Sequence, residues 1–344
     1  MNTFDIDAIV NSAVFHQKCG RKDSAEKLFQ QALALQPEHC AALHFLGLLC
    51  QQRGNDAAAL DFLRRSVMAA PGSEQAHYHN NLATGFGRAG RLDEALKAIE
   101  RALFLKPDYA EAWGNKGVVL EKQGKLEESR QALAKAVELK SDFIDAQINL
   151  GNILAKMGKD KEAMEHLEQA AERFPKEATL AINLGNALRR CGRIDAAIAS
   201  LRRAVERRPS SPEARNNLGV ALHDAGMLAD AEAELRKSID LRSNYADAHW
   251  NLSLVLLHKG DFHNGWMEYG MSRTTCGSAK RVKSRGAVLS NWPAVSAITT
   301  TAAARSSCKS TIWPARRLSK RSRMPRRHRR CSRCDQSRPR KSEA

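Results

Sequence analysis

Asparagine recurs at one register along this chain, at Asn11, Asn81, Asn115, Asn149, Asn183, Asn217 and Asn251, and Asn152 and Asn186 follow two of these by one helical turn. A carboxamide carries one acceptor oxygen and two donor hydrogens. A column of them can therefore pair with the N–H and C=O groups of an extended polypeptide without reading the side chains between. The other residues able to do chemistry make weaker cases. Gly85-Phe86-Gly87-Arg88-Ala89-Gly90 satisfies G-x-G-x-x-G, but that phosphate cradle needs a strand before it, and here it is expected in a helix and its cap. His77 and His79 flank Tyr78, while His223, His249, His258 and His263 are scattered without carboxylates or cysteines at ligand spacing, so no metal is expected. His328, Cys331 and Cys334 form H-x-x-C-x-x-C, half of a zinc site, and Cys308 could complete it only across a long arginine-rich loop. With no nucleophile beside a matched base and no Walker loop, the chain is expected to be non-catalytic and to need no cofactor.

The elements that position the asparagines follow from a repeat of 34 residues, a period typical of solenoids. Ala178 to Ser211 shows the unit. Leu184, Gly185 and Leu188 lie on one stripe, Gly192 breaks the run, Ala197, Leu201 and Ala204 form a second stripe, and Pro209 ends it. Apolar and small residues three and four apart predict two short helices, each with one buried face. A glycine just past a helix suits a left-handed turn, and proline cannot continue the second helix. The glycine returns at Gly20, Gly54, Gly90, Gly124, Gly158, Gly192, Gly226 and Gly260, with one insertion of two residues near Gly72 to Gln75. The small residue of the second helix returns as Ala25, Ala59, Ala95, Ser129, Ala163, Ala197, Ala231 and Gly265. Its bulky partner returns as Phe29, Leu63, Ile99, Leu133, Leu167, Leu201, Leu235 and Tyr269. Copies start at Ile6, Cys40, Ala76, Ala110, Ile144, Ala178, Pro212 and Ala246, giving seven complete hairpins and a partial eighth over residues 6–270.

This pattern resembles the tetratricopeptide repeat (TPR), whose W-x2-L-G-x2-Y, A-x3-F, P signature is met in part by Trp113, Gly117 and Leu120 and by Leu150, Gly151 and Leu154. The resemblance implies an all-α, right-handed superhelical solenoid whose first helices line a concave groove. It therefore implies that Asn81, Asn115, Asn149, Asn152, Asn183, Asn186, Asn217 and Asn251 form a peptide-binding column, with a protein or extended peptide as partner. The alternative is that asparagine is a tolerated surface residue at this register. The family's clamp for C-terminal carboxylates needs lysine and arginine on this face, whereas Glu111, Asp145, Glu213 and Asp247 open the first helices here. Lys116 departs from the pattern at a position normally apolar, where its stem can pack and its ammonium reach water.

The last copy, Gly260 to Tyr269 with Phe262, Gly265 and Trp266, is similar to the final repeat of bacterial TPR proteins that continue into a glycosyltransferase-like domain. The acidic residue and arginine usual after that tyrosine are absent, so the resemblance stops at Gly270 and Met271. A substrate-binding arm of a glycosyltransferase, O-GlcNAc transferase-like, is the resulting rival to a plain interaction scaffold, with a glycosyltransferase chain as partner. Residues 271–344 carry 20 Lys and Arg against two acids, while residues 1–270 are almost neutral, so the chain's net charge of +17 belongs to its end. Poor in core-forming residues, 271–344 is expected to be a disordered basic tail. Its arginine runs point to nucleic acid as a third partner class. A competing reading makes the tail an out-of-frame translation, which the other two reading frames beyond codon 270 would decide. The acidic start lacks a basic n-region and long apolar run, no membrane span is expected, and Cys19, Cys40, Cys50 and Cys191 stand singly, as reduced thiols of a cytoplasmic protein do.

Overall fold

The computed structural model describes residues 3–70, 72 and 75–275, and among these every regular element is an α-helix. The helices pair into eight hairpins: α1 (Thr3–Lys18) with α2 (Lys22–Leu35), α3 (Cys40–Gln52) with α4 (Asp56–Ala69), α5 (Gln75–Arg88) with α6 (Leu92–Leu105), and α7 (Ala110–Lys122) with α8 (Leu126–Leu139). The series continues with α9 (Ile144–Lys156) and α10 (Asp160–Arg173), α11 (Ala178–Arg190) and α12 (Ile194–Arg207), α13 (Pro212–Asp224) and α14 (Leu228–Leu241), and α15 (Ala246–His258) and α16 (Phe262–Thr274).

Two kinds of glycine shape each hairpin, for different reasons. Gly192 turns the chain with φ +76° and open space where a Cβ would sit, so its role is purely conformational. Gly185 is an ordinary helical residue, but a Cβ there would lie 2.5 Å from Cγ of Leu201. Its lack of a side chain lets α11 and α12 close on each other. The same contact recurs between Gly117 and Leu133, Gly151 and Leu167, and Gly219 and Leu235. The second helices supply the facing stripe: Ala25, Phe29 and Ala32 in α2, and their counterparts through Ala231, Leu235 and Ser238 in α14, are 0–4 % exposed. Serines in this stripe stay satisfied, as where Ser129 Oγ donates to the Gly117 carbonyl (2.7 Å) and Ser238 Oγ to that of Pro212 (2.8 Å).

Each hairpin packs on the next, as expected of a stack whose units cannot bury their apolar faces alone. First helices also touch the first helix of the following hairpin throughout the series α1 to α15, whereas among the described residues second helices make no comparable contact with one another. The stack is therefore tighter on the first-helix side, which forms its inner wall.

The eighth hairpin differs from the sequence reading. Its second helix runs to Thr274 rather than ending near residue 270. Ser272, fully buried, holds the register occupied by Ser66 and Ser238, so the repeat extends into residues whose composition alone suggested disorder. Trp266 and Tyr269 lie edge to face at 5.7 Å, and Tyr269 also meets Trp250 at 5.9 Å. The readings placed on residues 276–344 (disorder, frameshift, nucleic-acid binding and H-x-x-C-x-x-C) lie outside the described residues.

Candidate functional site: an amide-bearing inner wall

All eight asparagines of the predicted column are half-buried and lie on first helices. Their hydrogen bonds divide them into two groups. Asn115 Nδ2 donates to Oδ1 of Asn80 at 2.9 Å, and Asn251 Nδ2 donates to Oδ1 of Asn216 at 2.9 Å. Asn81 Nδ2 makes the equivalent contact with His44 Nε2 at 3.1 Å. In each case the sixth residue of one copy bonds to the fifth residue of the copy before it. These amides hold neighbouring hairpins together.

The fifth residues preceding Asn149, Asn183 and Asn217 are Gly114, Ile148 and Ile182, which offer no side-chain acceptor. Asn217 instead accepts from its neighbour Asn216 (3.1 Å). Asn149 and Asn183, with Asn152 and Asn186 a turn later, have no protein hydrogen bond among the described residues. A half-buried amide without a partner satisfies itself with water or with a ligand. The amides able to receive a ligand thus cluster on α9 and α11. The sequence reading missed Asn80, His44 and Asn216, although a polar residue immediately before the column was there as a signal.

Two hollows open along this wall. One, of about 390 Å³, lies at α7, α9 and α11, with Asn115 and Asn149 beside Val118, Ile148 and Phe143 and the carboxylates of Asp145 and Glu177. The other, of about 280 Å³, lies at α11, α13 and α15 and brings Asn186, Asn217 and Asn251 together with Arg189, Tyr245 and Trp250. Asn81, Asn152 and Asn183 line neither. Asn11 is exposed, and Phe45, the one break in the column, stacks on Phe29 at 6.1 Å.

The remaining candidates resolve as structural. Gly85 is buried in α5 against Leu60 and Leu63, and Gly90 is the turn glycine, so the G-x-G-x-x-G run cradles no phosphate. His77 Nδ1 meets the Tyr109 hydroxyl at 2.8 Å, and burial, then Arg101, lowers the pKa of His79. His249, 4 % exposed, bonds to Glu268 (2.5 Å) and to the Ser243 carbonyl (2.9 Å). Lys116 lays its ammonium 5.2 Å from the Trp113 ring centre. Cys19, Cys40, Cys50 and Cys191 are free thiols. Among the described residues no group of three or more His, Cys, Asp or Glu could hold a metal, and no helix is long and apolar enough to cross a membrane.

His44 gives the wall a pH response. Burial, then the nearby His77, pushes its pKa down to about 4, so it is neutral in the folded chain at pH 7. Between pH 6.5 and 4 the unfolded chain takes up a proton there that the folded chain does not, so stability falls as pH falls through that window and levels off below it. His44→Asn recreates the asparagine pair seen at Asn80 and Asn115. The variant is expected to lose roughly 2 kcal/mol less than the parent between pH 7 and 4 in urea titrations; parallel losses would refute the assignment.

A row of helical hairpins, each packed on the next, is a repeat solenoid. The chain belongs to the tetratricopeptide repeat family: the family's model matches residues 16–74, 80–142, 148–212 and 182–246. Among characterised relatives, it is 30 % identical over 108 residues to Protein FlbA of Caulobacter vibrioides, covering 31 % of this chain and 18 % of that protein. It is 29 % identical over 103 residues to the chloroplastic TPR-domain protein PYG7 of Arabidopsis thaliana, covering 29 % of this chain and 34 % of that one. The matches span only these minor fractions of the relatives' lengths. Among solved structures, a TPR protein from Parabacteroides merdae superposes with a TM-score of 0.58 at 16 % identity, over 73 % of this chain and 98 % of that one. A chain of the Cut9–Hcn1 hetero-tetramer of the APC/C superposes with a TM-score of 0.59 at 17 % identity, over 83 % of this chain and 56 % of that one. These likenesses establish the solenoid fold.

Proposed function

We propose that the protein is a non-catalytic interaction scaffold that holds an extended segment of a partner polypeptide against its inner wall. The observation that carries this reading is the set of unengaged amides at Asn149, Asn152, Asn183 and Asn186, on the wall that carries the two hollows. Amides that bonded only to one another would be mortar between hairpins; these four make no such bond. Main-chain pairing of this kind gives affinity with little sequence preference.

The test uses fluorescent randomised peptides of about ten residues, long enough to span roughly 30 Å when extended. Asn149→Ala, Asn183→Ala and Asn186→Ala together are expected to weaken binding about tenfold or more, since each lost hydrogen bond is worth about 0.5–1.5 kcal/mol. Helicity by circular dichroism should stay unchanged. Undiminished anisotropy changes in the triple variant would remove the groove from the account. Glycosyl transfer by the purified chain would replace the scaffold reading with the arm of a transferase.

A further inference from the structure

The hollow at α7, α9 and α11 is charged on one side only. Asp145 stands in the first turn of α9, and Glu177 precedes α11 as its N-terminal cap residue. Neither makes an ion pair among the described residues, and no lysine or arginine lines the hollow. Carboxylates at these places do favour the positive end of a helix dipole, but that does not explain why these two are left unpaired.

The repeat supplies its own comparison. Glu111 and Glu213 hold the same register as Asp145, one in the preceding copy and one two copies on. Glu111 is paired with Lys140 at 2.9 Å and Glu213 with Arg242 at 2.7 Å, each base standing just past the second helix of the same hairpin. In the hairpin of Asp145 that position is Phe174. The neutralising base used elsewhere is replaced here by an apolar ring. Lys140 lies 5.6 Å from the Phe143 ring centre, but its ammonium is engaged by Glu111, whose pKa is lowered first by that hydrogen bond. Arg203 and Arg207 share a separate small recess with Glu177 without pairing with it. The floor is apolar, from Val118, Ile148 and the Phe143 ring, and Asn149 offers its free amide at the same place.

We propose that this hollow takes the side chain of a lysine or arginine from the extended segment. The proposal rests on the groove reading above and adds selectivity to it. The aliphatic stem lies on Val118 and Ile148, the cation reaches Asp145 and Glu177, and Asn149 pairs with the adjacent main chain. A long cationic side chain suits such a site because its stem is apolar and only its tip is charged. The hollow, at about 390 Å³, has room for either residue. The second hollow differs: Arg189 lines it together with Asp247, so side chains of both signs stand there, whereas the charged side chains lining the first hollow are carboxylates alone.

The experiment compares four libraries of peptides of about ten residues, randomised except for a fixed central lysine, arginine, leucine or glutamate. Each is titrated by fluorescence anisotropy against the full-length chain and against its Asp145→Asn/Glu177→Gln variant. The basic C-terminal segment is the same in both proteins, so the difference between them isolates the hollow. Lysine and arginine libraries are expected to bind the parent about three- to tenfold more tightly than the leucine library, and glutamate least well. The variant should lose that preference while binding the leucine library as the parent does. Equal affinities for all four libraries, or a cation preference that survives the double substitution, overturns the proposal. If Asn149→Ala/Asn183→Ala/Asn186→Ala weakens every library equally while no cation preference exists, the groove stands and the hollow falls. If that triple variant changes nothing, the groove reading falls and the hollow falls with it.

Discussion

Gly185→Leu is expected to destabilise the array by about 3 kcal/mol, and Leu201→Ala in the same chain is expected to restore part of the loss. Even the first carbon of a new side chain at Gly185 would sit 2.5 Å from Cγ of Leu201 and 2.9 Å from its Cδ2, inside the contact that lets α11 and α12 close. Leucine is a better helix former than glycine by most of 1 kcal/mol, and that gain is too small to offset the overlap. Leu201→Ala alone leaves a cavity at a fully buried site and should cost about 2–5 kcal/mol. In the double variant the new leucine can enter the vacated space, so the two effects should fall short of their sum by at least about 1 kcal/mol. Urea titrations of the parent, both single variants and the double variant measure this directly, and an additive cycle would show that the two residues do not share one space. Gly192→Ala is the control. That residue has φ +76° with nothing within 4 Å, so alanine there costs only about 1 kcal/mol of backbone strain, and no neighbouring truncation should relieve it.

Phe29→Ala is the second large effect, at about 3–5 kcal/mol. Phe29 is fully buried and stacked on Phe45 among Ile6, Val10, Ala13 and Leu46. Its consequence should differ in kind from a loss at Leu201. The hairpin of α1 and α2 has described neighbours on one side only, and stability in a repeat stack is close to a sum of unit and nearest-neighbour contributions. The cost at Phe29 should therefore appear as local opening. Hydrogen exchange is expected to lose protection in α1 and α2 first, while amides of α9 to α12 keep theirs. Leu201→Ala lies between packed neighbours and should weaken hairpins on both sides. A uniform loss of protection along the whole stack in Phe29→Ala would contradict this division.

The fold was legible because its rules are local. A glycine at fixed intervals, a proline after the second helix and small residues facing large ones each act within one hairpin, and their recurrence in phase needs no knowledge of the third dimension. Where phase and composition disagreed, phase was the better guide. Ser272 continues the register of Ser66 and Ser238, and α16 follows it to Thr274 although the chain is already turning rich in serine and arginine. The asparagine register was equally visible, and all eight residues lie half-buried on first helices.

Which of those amides are free was settled between hairpins. Asn115 and Asn149 are the same residue at the same register, yet the first is engaged by Asn80 and the second faces Gly114, because superhelical stacking sets each sixth residue against the fifth residue of the copy before it. The charge of the first hollow follows the same logic: Asp145 is left unneutralised because Phe174 stands where Lys140 and Arg242 serve its counterparts. The residue types alone specified the hairpin and its repetition, since helix stripes and turns depend on neighbours a few positions away. Only the packed stack decided which polar groups remained for a partner, since that depends on side chains more than thirty residues apart meeting across an interface.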